Sequence, residues 1–362
     1  MTMTHIPRLR SCRTVRGWRA RIFTTSAAAI LIALILPIAA LASGLPLKRI
    51  TDIPLPGGTE RFDYQSIDPV SHRLFISHMG AGTVIVFDLT KRRVVANLSG
   101  FPGATGITVV PSLHRAFVSV TGHWWNDVLG GGKIAAIDAI TLKTAWSVPV
   151  GRFPDGSAFV PKDRHLFISD ESDGHEIIID ARTGKFVKTI ALDGEAGMTA
   201  YDPVSGRIFV NVQTRNEIIA IDSAVNRIVW RHLLPASCEH NHGLLIDPPS
   251  RRAFIACDAN ATLLVFDLST EHIVQTFHVG DDPDVLEFDP IRHKLYVASE
   301  SGTLTVFEAG TEKLAKLGEG YAGDNAHSVV VDPATGFIYL PLRDRNGHPA
   351  LRIMAPLPPT SL

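Results

Sequence analysis

Histidine and aspartate recur in this sequence at one fixed distance before a series of prolines. Six residues before seven of the prolines stand Asp63, Thr105, Asp155, Gly197, His242, Asp284 and His327. Imidazole and carboxylate groups bind zinc and other divalent ions, and they also carry protons in hydrolases and lyases. If these positions meet in the fold, then His242, His327, Asp155 and Asp284 are candidate ligands for a divalent ion such as Zn²⁺, Ca²⁺ or Mg²⁺.

Two further columns carry polar side chains. Eight residues before the prolines stand Arg61, Gly103, Phe153, Glu195, His240, Asp282 and Asn325. Ten residues after them stand Met79, Thr121, Glu171, Gln213, Asp258, Glu300 and Arg343. Each such set of equivalent positions is here called a column. Residues two apart in a strand point the same way, so the column eight residues before the prolines should share a strand face with the column six residues before them. The candidates for proton transfer are His242, His327 and Glu195. The candidates for ligand binding are His240, Asp282, Asn325, Glu171, Glu300 and Arg343.

One loop is longer than its counterparts and adds two aromatic candidates. The segment TGHWWNDVLGGGK holds Trp124 and Trp125, followed by three consecutive glycines. Adjacent tryptophans beside flexible glycines are typical of a lid or a stacking platform. We expect both to lie over the candidate site and to contact its ligand.

The elements that position these residues follow from the repeat. The seven prolines are 42 to 50 residues apart, and six residues after each stands Phe75, Phe117, Phe167, Phe209, Phe254, Tyr296 or Tyr339. Each unit holds four short apolar runs, here called strands A to D, bounded by Gly, Pro, Asp or Asn. Four antiparallel strands at this period are typical of a propeller blade. The sequence therefore predicts an all-β, seven-bladed β-propeller in which the aromatic packs blade against blade.

The two ends of the chain complete the ring in this prediction. The seventh unit has no D strand after its C strand at 351–354, whereas residues 48–55 read as a D strand that no blade uses. The N-terminal strand should therefore be the outer strand of the last blade, which removes an open edge. Connections from D to A and loops from B to C then share one face, the top, where the three polar columns meet at the channel mouth.

The repeat also carries a resemblance to a known family. The YVAS segment at Tyr296–Ser299, with its LFIS, AFVS and IFVN counterparts, resembles the YVTN-repeat, YncE-like, seven-bladed propellers of exported bacterial proteins. That family includes binding proteins and domains similar to quinoprotein or lactonase propellers. A propeller supports many unrelated activities, so function has to be argued from the site.

Three functions remain open on the sequence alone. The first is a binding protein that holds a small polar ligand or a periplasmic partner protein at the top mouth. The second is a divalent-metal-dependent hydrolase or lyase of the gluconolactonase or streptogramin-lyase type, in which a metal polarises a carbonyl. A redox role with a quinone cofactor is third, and no residue pattern supports it. The polar mouth could also be a purely structural network of hydrogen bonds around a wet channel.

The N-terminal region indicates export. Residues 1–42 combine six arginines and no acid with an apolar stretch ending in Ala40-Leu41-Ala42, the pattern of a cleaved signal peptide. We expect cleavage between Ala42 and Ser43, a propeller over 43–362, and a periplasmic or secreted monomer; an uncleaved anchor is the alternative. Cleavage shifts the net charge from −1 to −7, because six arginines leave. An acidic surface disfavours nucleic acid and anionic membranes as partners.

Two cysteines remain after such a cleavage. Cys238 and Cys257 both fall at the top of the fifth blade. In an exported protein they can form a disulfide. As thiolates they would instead be soft metal ligands beside His240 and His242, and the sequence leaves both alternatives open.

Overall fold

The computed structural model describes residues 44–122, 131–310 and 313–357. In these ranges the chain forms β-strands joined by turns, with short 3-10 helices at Pro111–Leu113, Gln213–Arg215 and Asp258–Asn260. None of the described helices has the length and apolar character needed to cross a bilayer. The predicted aromatic platform at Trp124 and Trp125 lies outside the described residues.

Seven sheets of four antiparallel strands form the blades, which confirms the predicted fold. The strands, grouped by blade from one to seven, are β2 Gln65–Asp68, β3 Arg73–His78, β4 Thr83–Asp88 and β5 Arg93–Ser99; β6 Ala104–Val110, β7 Arg115–Val120, β8 Lys133–Asp138 and β9 Thr144–Pro149; β10 Pro154–Val160, β11 His165–Asp170, β12 His175–Asp180 and β13 Phe186–Ala191; β14 Ala196–Asp202, β15 Arg207–Val212, β16 Glu217–Asp222 and β17 Arg227–Leu233; β18 Asn241–Asp247, β19 Arg252–Cys257, β20 Thr262–Asp267 and β21 His272–His278; β22 Pro283–Asp289, β23 Lys294–Ser299, β24 Thr303–Ala309 and β25 Leu314–Tyr321; β26 Val330–Asp332, β27 Phe337–Leu342, β28 Ala350–Pro356 and β1 Leu47–Pro54.

The ring closes as the sequence predicts. Strand β1 pairs antiparallel with β28, and it is the outer strand of the seventh blade. Asp52 on β1 accepts hydrogen bonds from Arg352 at 2.8 Å and from Arg345 at 3.1 Å, which adds ion pairs to the backbone ladder. The innermost strands contact one another in sequence, and β26 of the last blade contacts β2 of the first.

The aromatic column packs each blade against the next one. Phe75 of blade one is fully buried in a cluster with Ala116 and Val118 of blade two. Tyr339 of blade seven is buried in the same way against Leu74 of blade one. The same arrangement recurs at the other interfaces. Burying one large aromatic at each interface is a main source of ring stability, at roughly 25 cal/mol per Å² of apolar surface.

A bulge interrupts the innermost strand near its start. In blades two to six, two residues of strand A oppose one of strand B, as between Ala104 and Ile107 or between Pro154 and Ser157. In blade one, Ser77 bonds to both Asp63 and Tyr64, so two consecutive residues again face one. A bulge breaks the alternation of side chains, which matters at the channel mouth.

The two cysteines form a disulfide. Cys238, in the connection leading into blade five, is bonded to Cys257 at the end of β19, and both are fully buried. The alternative in which these cysteines are thiolate ligands is therefore wrong, because a disulfide sulfur has no thiolate to offer a metal.

Candidate functional site

A cavity of about 280 Å³ lies at the top mouth of the channel. Side chains from five blades line it, and they come from the three polar columns of the repeat: Arg61, Asp63, Met79, Phe153, Asp155, Glu171, Gln213, His240, His242, Asp258, Asp282, Asp284 and Glu300. The strands that start here and the B–C loops thus bring these columns to one face. The catalytic and ligand-binding roles of individual residues stay predictions.

Tyr64 is the centre of the inner part of the mouth. Its hydroxyl lies 3.0 Å from His242 Nε2, 3.3 Å from Asp284 Oδ1 and 3.4 Å from Asp155 Oδ2. The other imidazole nitrogen, Nδ1 of His242, lies 3.1 Å from the side-chain oxygen of Gln213. A phenol that the sequence did not indicate therefore links Asp155 to His242, and it also contacts Asp284, which lies 3.3 Å from His242 Nε2.

A tyrosine can reach the axis here because other blades carry small or apolar residues at the same position. The counterparts of Tyr64 in blades two, three and five are Gly106, Gly156 and Gly243. A Cβ on Gly106 would lie only 2.0 Å from the backbone oxygen of Asp155, so these inner strands approach too closely for a side chain. A lone tyrosine in a column of small residues was the signal that could have identified this position.

A second group lies beside this network. His327 is fully buried, and its Nε2 lies 3.5 Å from Asp63 Oδ1 and 3.9 Å from Asp284 Oδ2. Neither distance is a good hydrogen bond, and within the described residues this nitrogen has no hydrogen-bond partner. The Arg61 guanidinium lies 3.6 Å from Asp63 and 3.9 Å from Asp284, and it forms a close ion pair with Glu300. Arg61 therefore provides the local positive charge.

Burial and neighbouring charges shift the pKa values of Asp155 and Asp284 in opposite directions. Burial raises the pKa of Asp155 well above its usual value, and the nearby carboxylates of Asp63 and Glu171 raise it further. Burial would also raise the pKa of Asp284, but the hydrogen bond and charge of His242 outweigh it and lower that pKa to about 2. The pKa values of the two aspartates are therefore pushed apart, a difference that acid–base chemistry requires.

His242 is held in the charged form. Burial would lower its pKa, but the hydrogen bond from its ring to Asp284, with the charges of Asp284, Asp155 and Glu171, raises the pKa to about 10. An imidazolium with a carboxylate partner at 3.3 Å is consequently the stable state of this pair near neutral pH. A protonated imidazole donates hydrogen bonds and cannot bind a metal in that state.

The outer rim carries further acids. His240 Nδ1 lies 2.9 Å from both oxygens of Asp258, and this hydrogen bond raises the pKa of His240. Burial, and then the negative charges of Glu300 and Asp258, raise the pKa of Asp282. Burial is also the largest cause of the raised pKa of Glu171, whose carboxylate accepts a hydrogen bond from Gln213 at 3.3 Å. Burial thus disfavours the ionised forms of Asp282 and Glu171 at this rim.

Besides the buried His327, three predicted site residues lie apart from the cavity lining. Glu195 is half-exposed and faces His240 Nε2 at 3.8 Å from outside the mouth. Arg343 is exposed and pairs with Asp324 at 3.1 Å. Asn325 donates a close hydrogen bond to Glu300 and so supports a lining residue.

The column eight residues before the prolines reaches the mouth through a turn and not through strand alternation. In blades five and six, strand A begins at Asn241 and Pro283, one residue after the residue of this column. His240 and Asp282 precede them with positive φ values of 59° and 58°. This left-handed turn, rather than a shared strand face, carries their side chains to the cavity.

Comparison with known proteins agrees with this architecture. No family model matches the chain. The chain is 25% identical over 180 residues to "Uncharacterized protein YncE" of Salmonella typhimurium, and the same figures hold for the protein of that name from Salmonella typhi. The matched segment covers 47% of this chain and about half the length of these curated relatives. The chain is therefore a seven-bladed β-propeller that is similar to YncE over about half of its length.

Solved structures extend the likeness in fold. A chain of Kuenenia stuttgartiensis hydrazine synthase aligns with a TM-score of 0.68 at 15% identity, covering 83% of this chain and 96% of that chain. A chain from the crystal structure of a mitotic checkpoint complex aligns with a TM-score of 0.71 at 11% identity, covering 93% and 98%. At these identities the comparison concerns the fold alone, and the function of this propeller has to come from its mouth.

Proposed function

We propose that the top mouth of the channel binds a small polar ligand that carries a positive charge. The observation that carries this proposal is the charge of the lining. Seven acidic side chains line the cavity (Asp63, Asp155, Glu171, Asp258, Asp282, Asp284 and Glu300), against one arginine and two histidines, and only Asp155 among the seven has a pKa raised well above its usual value. A cleft lined mainly by one sign of charge attracts ligands of the opposite sign.

Two rim carboxylates define where the ligand's charge would sit. Asp282 has no side-chain hydrogen-bond or ion-pair partner in the described part of the chain, and Glu171 has only the amide of Gln213. Burial and neighbouring acids disfavour the ionised forms of both. A cation placed between them would supply the missing positive charge, and Phe153 offers an aromatic ring beside it.

The shape of the site favours a small ligand over a protein partner. The cavity is concave and near the lower end of the volumes usual for small-molecule sites, about 300–1,000 Å³. Its polar groups converge from five blades toward the axis, which suits a ligand of a few heavy atoms. A protein partner would more typically use a broad, flatter surface.

The proposal includes export of the propeller. The arginine-rich, acid-free N-terminal region followed by an apolar stretch supports a cleaved signal peptide over 1–42 and a periplasmic location. The bond between Cys238 and Cys257 adds support, because disulfides persist in oxidising compartments.

A metal-dependent hydrolase or lyase is the second candidate, and one observation favours it. One ligand atom from each of Asp63, Asp284 and His327 lies within 4.8 Å of the others. His327 Nε2 is buried and has no hydrogen-bond partner among the described residues. This donor set suits a divalent ion, with Asp63 and Asp284 as charge-balancing ligands. It differs from the predicted set, because Asp155 and His242 face Tyr64 instead.

In that second candidate function, different residues of the chain would hold the ion and transfer protons. Asp63, Asp284 and His327 would hold the ion, which supplies a Lewis acid for a substrate carbonyl. Asp155, which keeps its proton, could donate it, with Tyr64 relaying between Asp155 and His242. Arg61 would have to leave the carboxylates that it now contacts.

A thermal-shift comparison separates the two candidates. The mature propeller is melted with n-butylammonium, with butyrate and with Zn²⁺, each from micromolar to millimolar concentration. A ligand at 100 times its Kd stabilises the folded state by about 2.7 kcal/mol. We expect n-butylammonium alone to raise the Tm, and the variant E171Q/D282N to lose that rise. A rise with Zn²⁺ that His327→Ala abolishes, with none for the amine, would favour the hydrolase.

A further inference from the structure

A second cavity continues from the acidic mouth across blades one and two. It measures about 560 Å³, and it shares Arg61, Met79 and Phe153 with the mouth. Beyond these shared residues its lining is small and uncharged, with Ala81 and Pro102 among its walls. Among the described residues that line it, Arg61 at the boundary is the only charged one. An acidic pocket therefore opens directly into a weakly polar groove.

The floor of this groove is backbone. A Cβ on Gly103 would lie 2.1 Å from Thr121 Oγ1, and one on Gly82 would lie 3.1 Å from the Cα of Pro102. Both glycines also have positive φ values of 65°, which side chains disfavour. The local backbone geometry therefore requires glycine at both of these positions.

We propose that the ligand of the mouth is a primary alkylammonium compound whose unbranched apolar tail lies in this groove. The inference rests on the proposed function, because the ammonium group would occupy the site between Glu171 and Asp282. Continuity of the two cavities through Met79 and Phe153 places the start of the tail against their apolar side chains. Three N–H donors of a primary ammonium suit the carboxylates of the rim better than a group without donors.

The groove makes affinity depend on tail length. Each methylene moved from water into an apolar environment strengthens binding by about fourfold at most. A ligand that used the acidic mouth alone would show no such dependence. Metal ions have no apolar part to place in the groove.

Calorimetric titration of the mature propeller with ethyl-, n-butyl- and n-hexylammonium tests the inference. We expect the Kd to fall by roughly twofold to fourfold per methylene, and n-hexanoate not to bind. Ala81→Leu fills the groove from a partly exposed loop position and should remove the length dependence while keeping ethylammonium binding. Ala259→Leu is the matched control, since Ala259 is an exposed residue of the blade-five loop outside the groove.

The outcomes separate this inference from the function on which it rests. Equal affinity for the three amines, or a length dependence that Ala81→Leu leaves intact, would contradict binding of the tail in the groove. Either result would leave cation binding at the acidic mouth unaffected. Absence of binding by every amine would overturn both. A length dependence lost in Ala81→Leu and kept in Ala259→Leu would support the inference.

Discussion

Glu176 on β12 is an acid whose ionisation should lower the stability of the propeller. Its side chain is fully buried, and Oε1 has no hydrogen-bond partner among the described residues. The other oxygen lies 3.5 Å from Ser169 Oγ. Burial raises the pKa of Glu176 to about 8, because these weak contacts offset little of the cost of an uncompensated charge. The folded protein therefore holds a proton here that an unfolded chain releases near pH 4.5.

The sign and size of the effect follow from linkage. Between the two pKa values the folded state binds one proton more than the unfolded state, so the free energy of unfolding falls as pH rises. The slope is about 1.4 kcal/mol per pH unit, which amounts to roughly 4 kcal/mol between pH 5 and pH 8. The loss levels off above about pH 9, where the folded group is also ionised. Glu287, a partly buried acid with a pKa also raised to about 8, should add a similar slope.

Replacing the acid by its neutral isostere isolates this contribution. In Glu176→Gln the slope from this residue disappears. At pH 5 the variant should be less stable than the parent by about 1–3 kcal/mol, because the buried amide lacks partners. Between pH 5 and pH 8 the free energy of unfolding of the variant should rise by roughly 4 kcal/mol relative to that of the parent.

Urea denaturation at pH 5, 6, 7, 8 and 9 measures this difference directly. Glu239→Gln is the control, since Glu239 is exposed and its replacement should leave the pH profile of the parent unchanged. A stability difference between Glu176→Gln and the parent that stays constant from pH 5 to pH 9 would refute the reasoning.

Three further perturbations have defined outcomes. Deleting residues 47–54 removes β1 and should expose the edge of β28, so we expect aggregation or a lower Tm by light scattering and calorimetry. A soluble monomer with the parent Tm would contradict ring closure. Replacing Cys238 and Cys257 by Ser should lower the free energy of unfolding by about 3 kcal/mol; full thiol labelling of the unreduced native protein would contradict the bond. Tyr64→Phe should lower the free energy of unfolding by about 1–3 kcal/mol, and unchanged urea unfolding would contradict the buried hydrogen-bond network.

The sequence predicted the fold because each blade repeats the same physical solution. A proline and an aromatic at a constant offset, with four short apolar runs, specify a blade that cannot bury its faces alone. The unused strand near residue 50 and the missing strand after residue 354 then specified how the ring closes. These features are local in sequence, which is why a single chain sufficed.

The candidate site was predictable only in part. Equal offsets brought Asp155, His242 and Asp284 to one mouth, because equivalent positions in a ring lie at similar radius and depth. Tyr64 escaped detection because alternation assigns it to the opposite face, whereas the bulge at Ser77 places consecutive residues toward the axis.

The sequence also could not predict which of these side chains contact one another. Which acid keeps its proton depends on distances across the channel between residues more than a hundred positions apart, such as Tyr64 and His242. Composition and spacing carry no information on these distances. The predicted metal ligands Asp155 and His242 illustrate this, since they face a phenol while Asp63 lies beside His327.

The central claim is that uncompensated acids at the channel mouth bind a cation, and one calorimetric measurement tests it most directly. The mature propeller and its variant E171Q/D282N are titrated with n-butylammonium in parallel, with n-butyrate as the anionic counterpart. The account predicts one amine bound per parent molecule, a Kd at least tenfold weaker in the variant, and no binding of butyrate. Equal amine affinity of parent and variant, or preferential binding of butyrate, would contradict it.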